Sequence, residues 1–113
     1  MRTDRKSHVK IGYRDYTISF KEMTNGLQGE CDKTFFSNQE KGRITIKKGM
    51  DDIEKCNTML HEIMHAIFTE RGLIFSDKTE ERIVLSMTNG LIDFIRDNPR
   101  FFKRWLKLMD GGK

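Results

Sequence analysis

Hydrophobic and polar positions change their period once along the chain, near residue 50. Before that point apolar and polar residues alternate, with a slip in phase near residues 14–15. The alternating apolar positions are Val9, Ile11, Tyr13, Tyr16, Ile18 and Phe20. Such alternation predicts two short strands around a turn, or one strand with a bulge, within residues 8–20. Residues 42–49, GRITIKKG, are β-branched and bounded by glycines, so they predict another strand.

After residue 50 the apolar residues recur three and four positions apart, as they do on one face of a helix. In the first such run they are Ile53, Cys56, Met59, Leu60, Ile63, Met64 and Ile67. Asp51 or Asp52 can cap the start of this helix, and Gly72 suits its C-terminal end. We therefore predict a helix over residues 52–70.

Two further helices are predicted towards the C-terminus. The second spans about residues 78–96, and the third opens at Pro99, a residue that favours the first helical position. Strands followed by helices predict an α+β fold, and we expect one domain over residues 1–113.

The stretch TMLHEIMHA in the first predicted helix carries His61, Glu62 and His65. A helix turns by about 100° per residue, so the two histidines share a face one turn apart. Zinc takes imidazole nitrogens and carboxylate oxygens as ligands. Two unpaired histidines on an inner helix face would be costly to bury, and with three histidines in the chain a coincidence is a weak explanation. The HExxH spacing therefore predicts a zinc site.

The chemistry that this motif predicts is hydrolysis of a peptide bond. Bound zinc lowers the pKa of its water towards about 7. Glu62 lies beside the ligand face, where its carboxylate can take the proton of the attacking water and pass it to the leaving amine. Glu62 is therefore the candidate catalytic base, with His61 and His65 as metal ligands.

A third ligand must come from elsewhere in the chain. His8 lies far away in the sequence, and the metzincin extension is absent because Phe68 and Arg71 stand where it requires Gly and His. Glu80 and Glu81 open the second predicted helix, which a short loop would bring back antiparallel beside the histidines. Periodicity does not separate the two glutamates as ligands.

The segments around this motif resemble a known family. TMLHEIMHAIFTERGL, followed by EERIVLSMTNGLIDFIRDNP, resembles small phage- and prophage-encoded zincin-like proteins, and GECDKTFFSNQEKGRITI resembles their strand pair. The resemblance runs over about residues 16–99. The wider similarity is to gluzincin-type metallopeptidases, including the ImmA/IrrE group.

This resemblance implies a zinc-dependent metallopeptidase of phage or prophage origin. It implies His61 and His65 as zinc ligands and Glu62 as base, and it favours Glu81 over Glu80 as the third ligand. The implied architecture is a minimal zincin-like α+β fold, with a small, mostly antiparallel N-terminal sheet packed on the HExxH helix and two further C-terminal helices. An edge strand at residues 42–47 would receive an extended protein or peptide substrate by strand addition.

Charge and composition limit the classes of partner that we expect. The chain has 21 Lys+Arg against 17 Asp+Glu, a mildly basic balance that requires no nucleic acid. No signal peptide and no run of roughly 18 apolar residues is present, so we expect no membrane partner and a cytoplasmic protein, in the host cell if phage-encoded. The alternatives are a non-catalytic zincin-fold protein that binds a host or phage protein, and a small basic nucleic-acid-binding protein.

Three other features suggest secondary roles. The basic and aromatic C-terminal helix, RFFKRWLKLM, is expected to cap the core or to pair two chains as a homodimer. Tyr13 or Tyr16 could donate to an oxyanion. Asn89 and Gly90 lie inside the second predicted helix, where glycine is unfavourable, and either close packing at Gly90 or a hydrogen bond from Asn89 to a ligand side chain would explain them.

Overall fold

The computed structural model describes residues 6–23, 26–32 and 41–111. These residues form four strands and then three helices, the α+β arrangement that the sequence predicts. The elements are β1 (Ser7–Ile11), β2 (Arg14–Lys21), β3 (Gly29–Asp32), β4 (Lys41–Lys47), α1 (Asp52–Glu70), α2 (Asp77–Asp97) and α3 (Pro99–Met109). No helix in the described ranges is both long enough and apolar enough to cross a membrane.

The sheet is mixed, with the strand order β1-β2-β4-β3. β1 and β2 form an antiparallel hairpin in which Val9 pairs with Tyr16, so the prediction of two strands around a turn is confirmed. β4 runs parallel to β2, with Ile18 opposite Ile44, and antiparallel to β3, with Cys31 opposite Ile44. β3 therefore lies at one edge of the sheet, and β4 lies in its interior.

The core forms where the inner face of the sheet meets α1. Its buried members are Ile11, Tyr16, Ile18, Ile44, Ile46 and Ala66. Partly buried Met59, Ile63 and Ile67 of α1 pack against them. Gly42 of β4 makes room for the Tyr16 ring, because a Cβ atom there would lie 2.2 Å from Tyr16 Cε2. The sheet thereby fixes the inner face of α1 and leaves its other faces for α2 and for the site.

Both ends of α1 are capped, and its bounds are those predicted. The Asp51 carboxylate accepts a hydrogen bond from the Glu54 backbone N–H at 2.8 Å, which lowers the pKa of Asp51. At the other end the N–H of Leu73 donates to the Phe68 carbonyl, with Gly72 at φ +70°. This is a Schellman motif, in which glycine supplies the left-handed conformation.

α2 returns antiparallel to α1, and α3 continues from α2 after Pro99. The antiparallel alignment follows from two contacts: His65 meets the start of α2, and Asn57 donates to Asn89 at 3.1 Å. α3 contacts α2 through the rings of Phe94 and Phe101, whose centroids are 5.9 Å apart. No residue of α3 is buried, so the interpretation that this helix caps the core is wrong.

Candidate metal centre

α1 places the two histidines of the HExxH motif next to each other on the side that faces α2. The ring centroids of His61 and His65 are 5.1 Å apart, as expected for residues one helical turn apart. Their side chains are 14% and 10% exposed, so both rings are largely shielded from solvent while their edges still reach a cleft.

A single carboxylate from α2 spans both histidines. Glu81 Oε1 lies 2.7 Å from His61 Nε2, and Glu81 Oε2 lies 2.9 Å from His65 Nε2. One potential ligand atom from each of these three residues lies within 4.8 Å of the other two. Two imidazole nitrogens and one carboxylate oxygen are a donor set that zinc accepts, with a fourth position left for water. The residues therefore fit a metal ion.

Glu80 contacts the same histidine pair from a different direction. Its Oε2 atom is hydrogen-bonded to His65 Nδ1, the ring nitrogen that faces away from Glu81. The Glu80 side chain is 8% exposed, whereas that of Glu81 is 55% exposed. Neighbouring positions on α2 thus serve different ring nitrogens: Glu81 meets both Nε2 atoms at the cleft, and Glu80 meets Nδ1 behind them.

Glu62 is buried between α1 and the edge of the sheet. Its side chain lies against Gly29 of β3, where an added Cβ would be 3.2 Å from Glu62 Cγ and 2.8 Å from Thr58 Cγ2. Glu62 is 7% exposed and lines the same clefts as His61 and Glu81. The absence of a side chain at residue 29 therefore lets the edge strand approach the helix that carries the motif.

Two adjoining clefts open onto the histidines. One is about 360 Å³ and the other about 330 Å³. They share Leu27, Gly29, His61, Glu62 and Glu81. The first extends past Glu80 and Asp77 at the start of α2, and the second extends past Asn57 and Leu85. The arrangement can hold an extended chain that runs beside β3 and over the candidate metal centre.

The strand beside the centre differs from the one expected. The expectation that residues 42–47 form the edge strand is wrong, because β4 pairs with β2 on one side and with β3 on the other. The edge strand that lines the clefts is β3 (Gly29–Asp32). The resemblance indicates a strand at GECD, but alternation alone does not predict it, because β3 has only four residues and follows a glycine-rich segment that is typical of a loop.

The secondary roles considered for Asn89, Gly90 and the two tyrosines find no support in the geometry. Asn89 hydrogen-bonds Asn57 and not a ligand, and a Cβ at Gly90 would meet nothing within 4 Å. Tyr13 is 81% exposed in the β1–β2 turn. Tyr16 is buried and donates its hydroxyl to Glu70 Oε2 at 2.7 Å, so its proton is already engaged away from the histidines.

The comparison with protein families places most of the chain in one of them. The family model Peptidase_M78, described as an IrrE N-terminal-like domain, matches residues 11–86. This range contains the HExxH motif together with Glu80 and Glu81. Neither the curated proteins nor the solved structures gave a match.

Proposed function

The chain belongs to the Peptidase_M78 family, and from this premise we propose that it is a zinc-dependent metallopeptidase that hydrolyses peptide bonds in a protein or peptide substrate. One observation carries the proposal. The Nε2 atoms of His61 and His65 converge on the Glu81 carboxylate beside a buried Glu62, in the lining of clefts that the edge strand β3 also borders. We assign His61, His65 and Glu81 as the zinc ligands and Glu62 as the general base.

The division of work follows from the chemistry of these groups. Bound zinc supplies a Lewis acid that lowers the pKa of water and polarises the substrate carbonyl. Glu62 accepts a proton from the water whose oxygen attacks the carbonyl carbon. As the C–N bond breaks, Glu62 returns that proton to the amine nitrogen of the leaving group, so its carboxylate is regenerated.

β3 is the element proposed to align the substrate. Among the described strands β3 pairs with β4, and its residues Gly29, Glu30 and Cys31 line one of the clefts. An extended peptide can add to such an edge through main-chain hydrogen bonds, which bind chains of different sequence in one orientation. Gly29 keeps β3 close enough to α1 for a peptide on this edge to pass Glu62.

The variant Glu62→Gln tests the proposal most sharply. Glutamine keeps the size of the side chain but cannot take a proton, so hydrolysis of a mixed fluorogenic peptide library should fall by about 10²–10⁴-fold. Zinc content should equal that of the parent, because Glu62 is not assigned as a ligand. The matched control is Glu54→Gln, on the exposed side of the same helix, which should leave hydrolysis unchanged.

The same variant separates the alternative, a non-catalytic protein that binds a host or phage protein. If Glu62→Gln hydrolysed the peptide library at the parent's rate, Glu62 would not be the general base. A zinc-loaded parent with no hydrolysis of any peptide in the library would instead favour the binding protein.

A further inference from the structure

Glu80 lies in the site but is not one of the three residues assigned as zinc ligands. It lies in the first turn of α2, and Ser76 caps that helix by accepting the Thr79 N–H at 3.3 Å. The cap fixes the turn from which Glu80 reaches inward, and the Glu80 side chain is only 8% exposed. A carboxylate is expensive to bury unless it is paired, and here it is hydrogen-bonded to His65 Nδ1.

Each ring nitrogen of His65 faces a carboxylate, Nδ1 that of Glu80 and Nε2 that of Glu81. Because Glu81 is assigned as a zinc ligand, Glu80 is the carboxylate that would accept the His65 proton when zinc is bound, and that proton would lie on Nδ1. The lone pair is then on Nε2, the atom that lies 2.9 Å from Glu81 and faces His61. The ring is thus held in the tautomer and the orientation that a zinc ligand needs.

The two histidines differ in this support. Among the residues that the structure describes, no hydrogen bond reaches His61 Nδ1, whereas Glu80 holds His65. Glu80 also lies on the far side of the His65 ring from Glu81. An ion bound to His65 Nε2 and to Glu81 would therefore not contact the Glu80 carboxylate. Glu80 is therefore placed to affect the metal ion through its hydrogen bond to His65.

We propose that Glu80 is a positioning residue that holds His65 as its Nδ1–H tautomer and thereby strengthens zinc binding, without itself being a ligand. The proposal rests on the zinc site of the proposed function. It assigns separate roles to the two adjacent glutamates: Glu81 binds the ion and Glu80 orients one of the histidines that bind it.

The test measures zinc affinity by competition with a chromophoric chelator. Glu80→Gln should bind zinc about 10–100-fold more weakly than the parent, the usual effect of losing a group that orients a ligand. The control Asp93→Asn removes an exposed carboxylate farther along α2, outside both clefts, and should leave zinc affinity unchanged. Equal affinity of Glu80→Gln and the parent would overturn the proposal while leaving the proposed function intact.

Cobalt(II) substitution separates positioning from ligation. The visible spectrum of bound cobalt reports the ligand set. The spectrum of Glu80→Gln should match that of the parent, whereas the spectrum of Glu81→Gln should change because a ligand is lost. The reverse pattern would make Glu80 the ligand and refute this proposal. A parent that binds neither metal would refute the proposed function itself.

A measurement on the parent protein tests the same role without depending on whether the variants fold. In the zinc-loaded protein labelled with ¹⁵N-histidine, His65 should show a protonated Nδ1 and a metal-bound Nε2. Metal on Nδ1 would contradict the role assigned to Glu80.

Discussion

Tyr16 and Arg14 join the start of β2 to the last turn of α1 through one carboxylate. Glu70 Oε2 accepts from the Tyr16 hydroxyl at 2.7 Å and pairs with Arg14 Nε at 2.8 Å, and its side chain is 3% exposed. Burial raises the pKa of Tyr16 above its ordinary value of 10.0, and the negative charge of Glu70 raises it further. This network lies at the end of α1 beyond His65, so its role is to hold the helix on the sheet.

The raised pKa of Tyr16 predicts a loss of stability at alkaline pH. An unfolded tyrosine releases its proton near pH 10, whereas folded Tyr16 keeps it, so above pH 10 the unfolded state binds fewer protons and becomes relatively more stable. The free energy of unfolding, measured with urea between pH 8 and 11, should fall less steeply in Tyr16→Phe than in the parent. At pH 8 the same variant should lose about 1–3 kcal/mol, because Glu70 loses a buried donor.

Tyr13→Phe is the matched control, because its ring is 81% exposed and its unfolding curves should follow those of the parent. If Tyr16→Phe shows the same alkaline slope as the parent, the hydrogen bond to Glu70 does not hold the Tyr16 proton.

For single residues, the sequence predicted which side chains lie close together better than it predicted their mutual geometry. The spacing of His61 and His65 within a helical pattern was enough to bring them together, because the geometry of a helix is local. Glu80 and Glu81 were both expected near the histidines, but periodicity could not separate them. They lie about 100° apart on α2, and which of them meets Nε2 depends on how α2 rotates against α1.

At the scale of elements the helices were predictable and the sheet order was not. The bounds of α1 follow from Asp51, Gly72 and an apolar stripe, all of which are local signals. The order β1-β2-β4-β3 depends on where the chain crosses, which alternation within a strand does not encode. The edge strand was therefore assigned to the longer, β-branched β4 and not to the short β3.

Gly29 gives this part of the fold a direct test. In Gly29→Ala the new Cβ would lie 2.8 Å from Thr58 Cγ2, so β3 or the α1 side chains must shift. We expect a loss of about 1–3 kcal/mol in the free energy of unfolding. Peptide hydrolysis should also decrease while zinc content stays the same, because the strand moves but the ligands do not.

Gly90→Ala provides the comparison, because its Cβ would meet nothing within 4 Å on an exposed stretch of α2. It should raise the free energy of unfolding by up to about 1 kcal/mol through helix propensity. Equal stability of Gly29→Ala and the parent would mean that β3 does not press against α1 as described.

At the scale of the whole molecule, α3 is the least integrated element. Its exposed apolar side chains include Phe101, Trp105, Leu106, Leu108 and Met109. Its main contact among the described elements is with α2, and it buries no residue. Self-association of two chains through this helix therefore stays a prediction.

The phage or prophage origin and the cytoplasmic location stay predictions as well, since the fold and the site do not depend on them.

Metal content shows whether His61, His65 and Glu81 hold one zinc ion. The purified parent and a His61→Ala/His65→Ala variant would be assayed by elemental mass spectrometry, before and after incubation with zinc and dialysis. We predict about one zinc per parent chain and none in the variant. A parent chain without zinc even after incubation, or equal zinc in both proteins, would contradict the account.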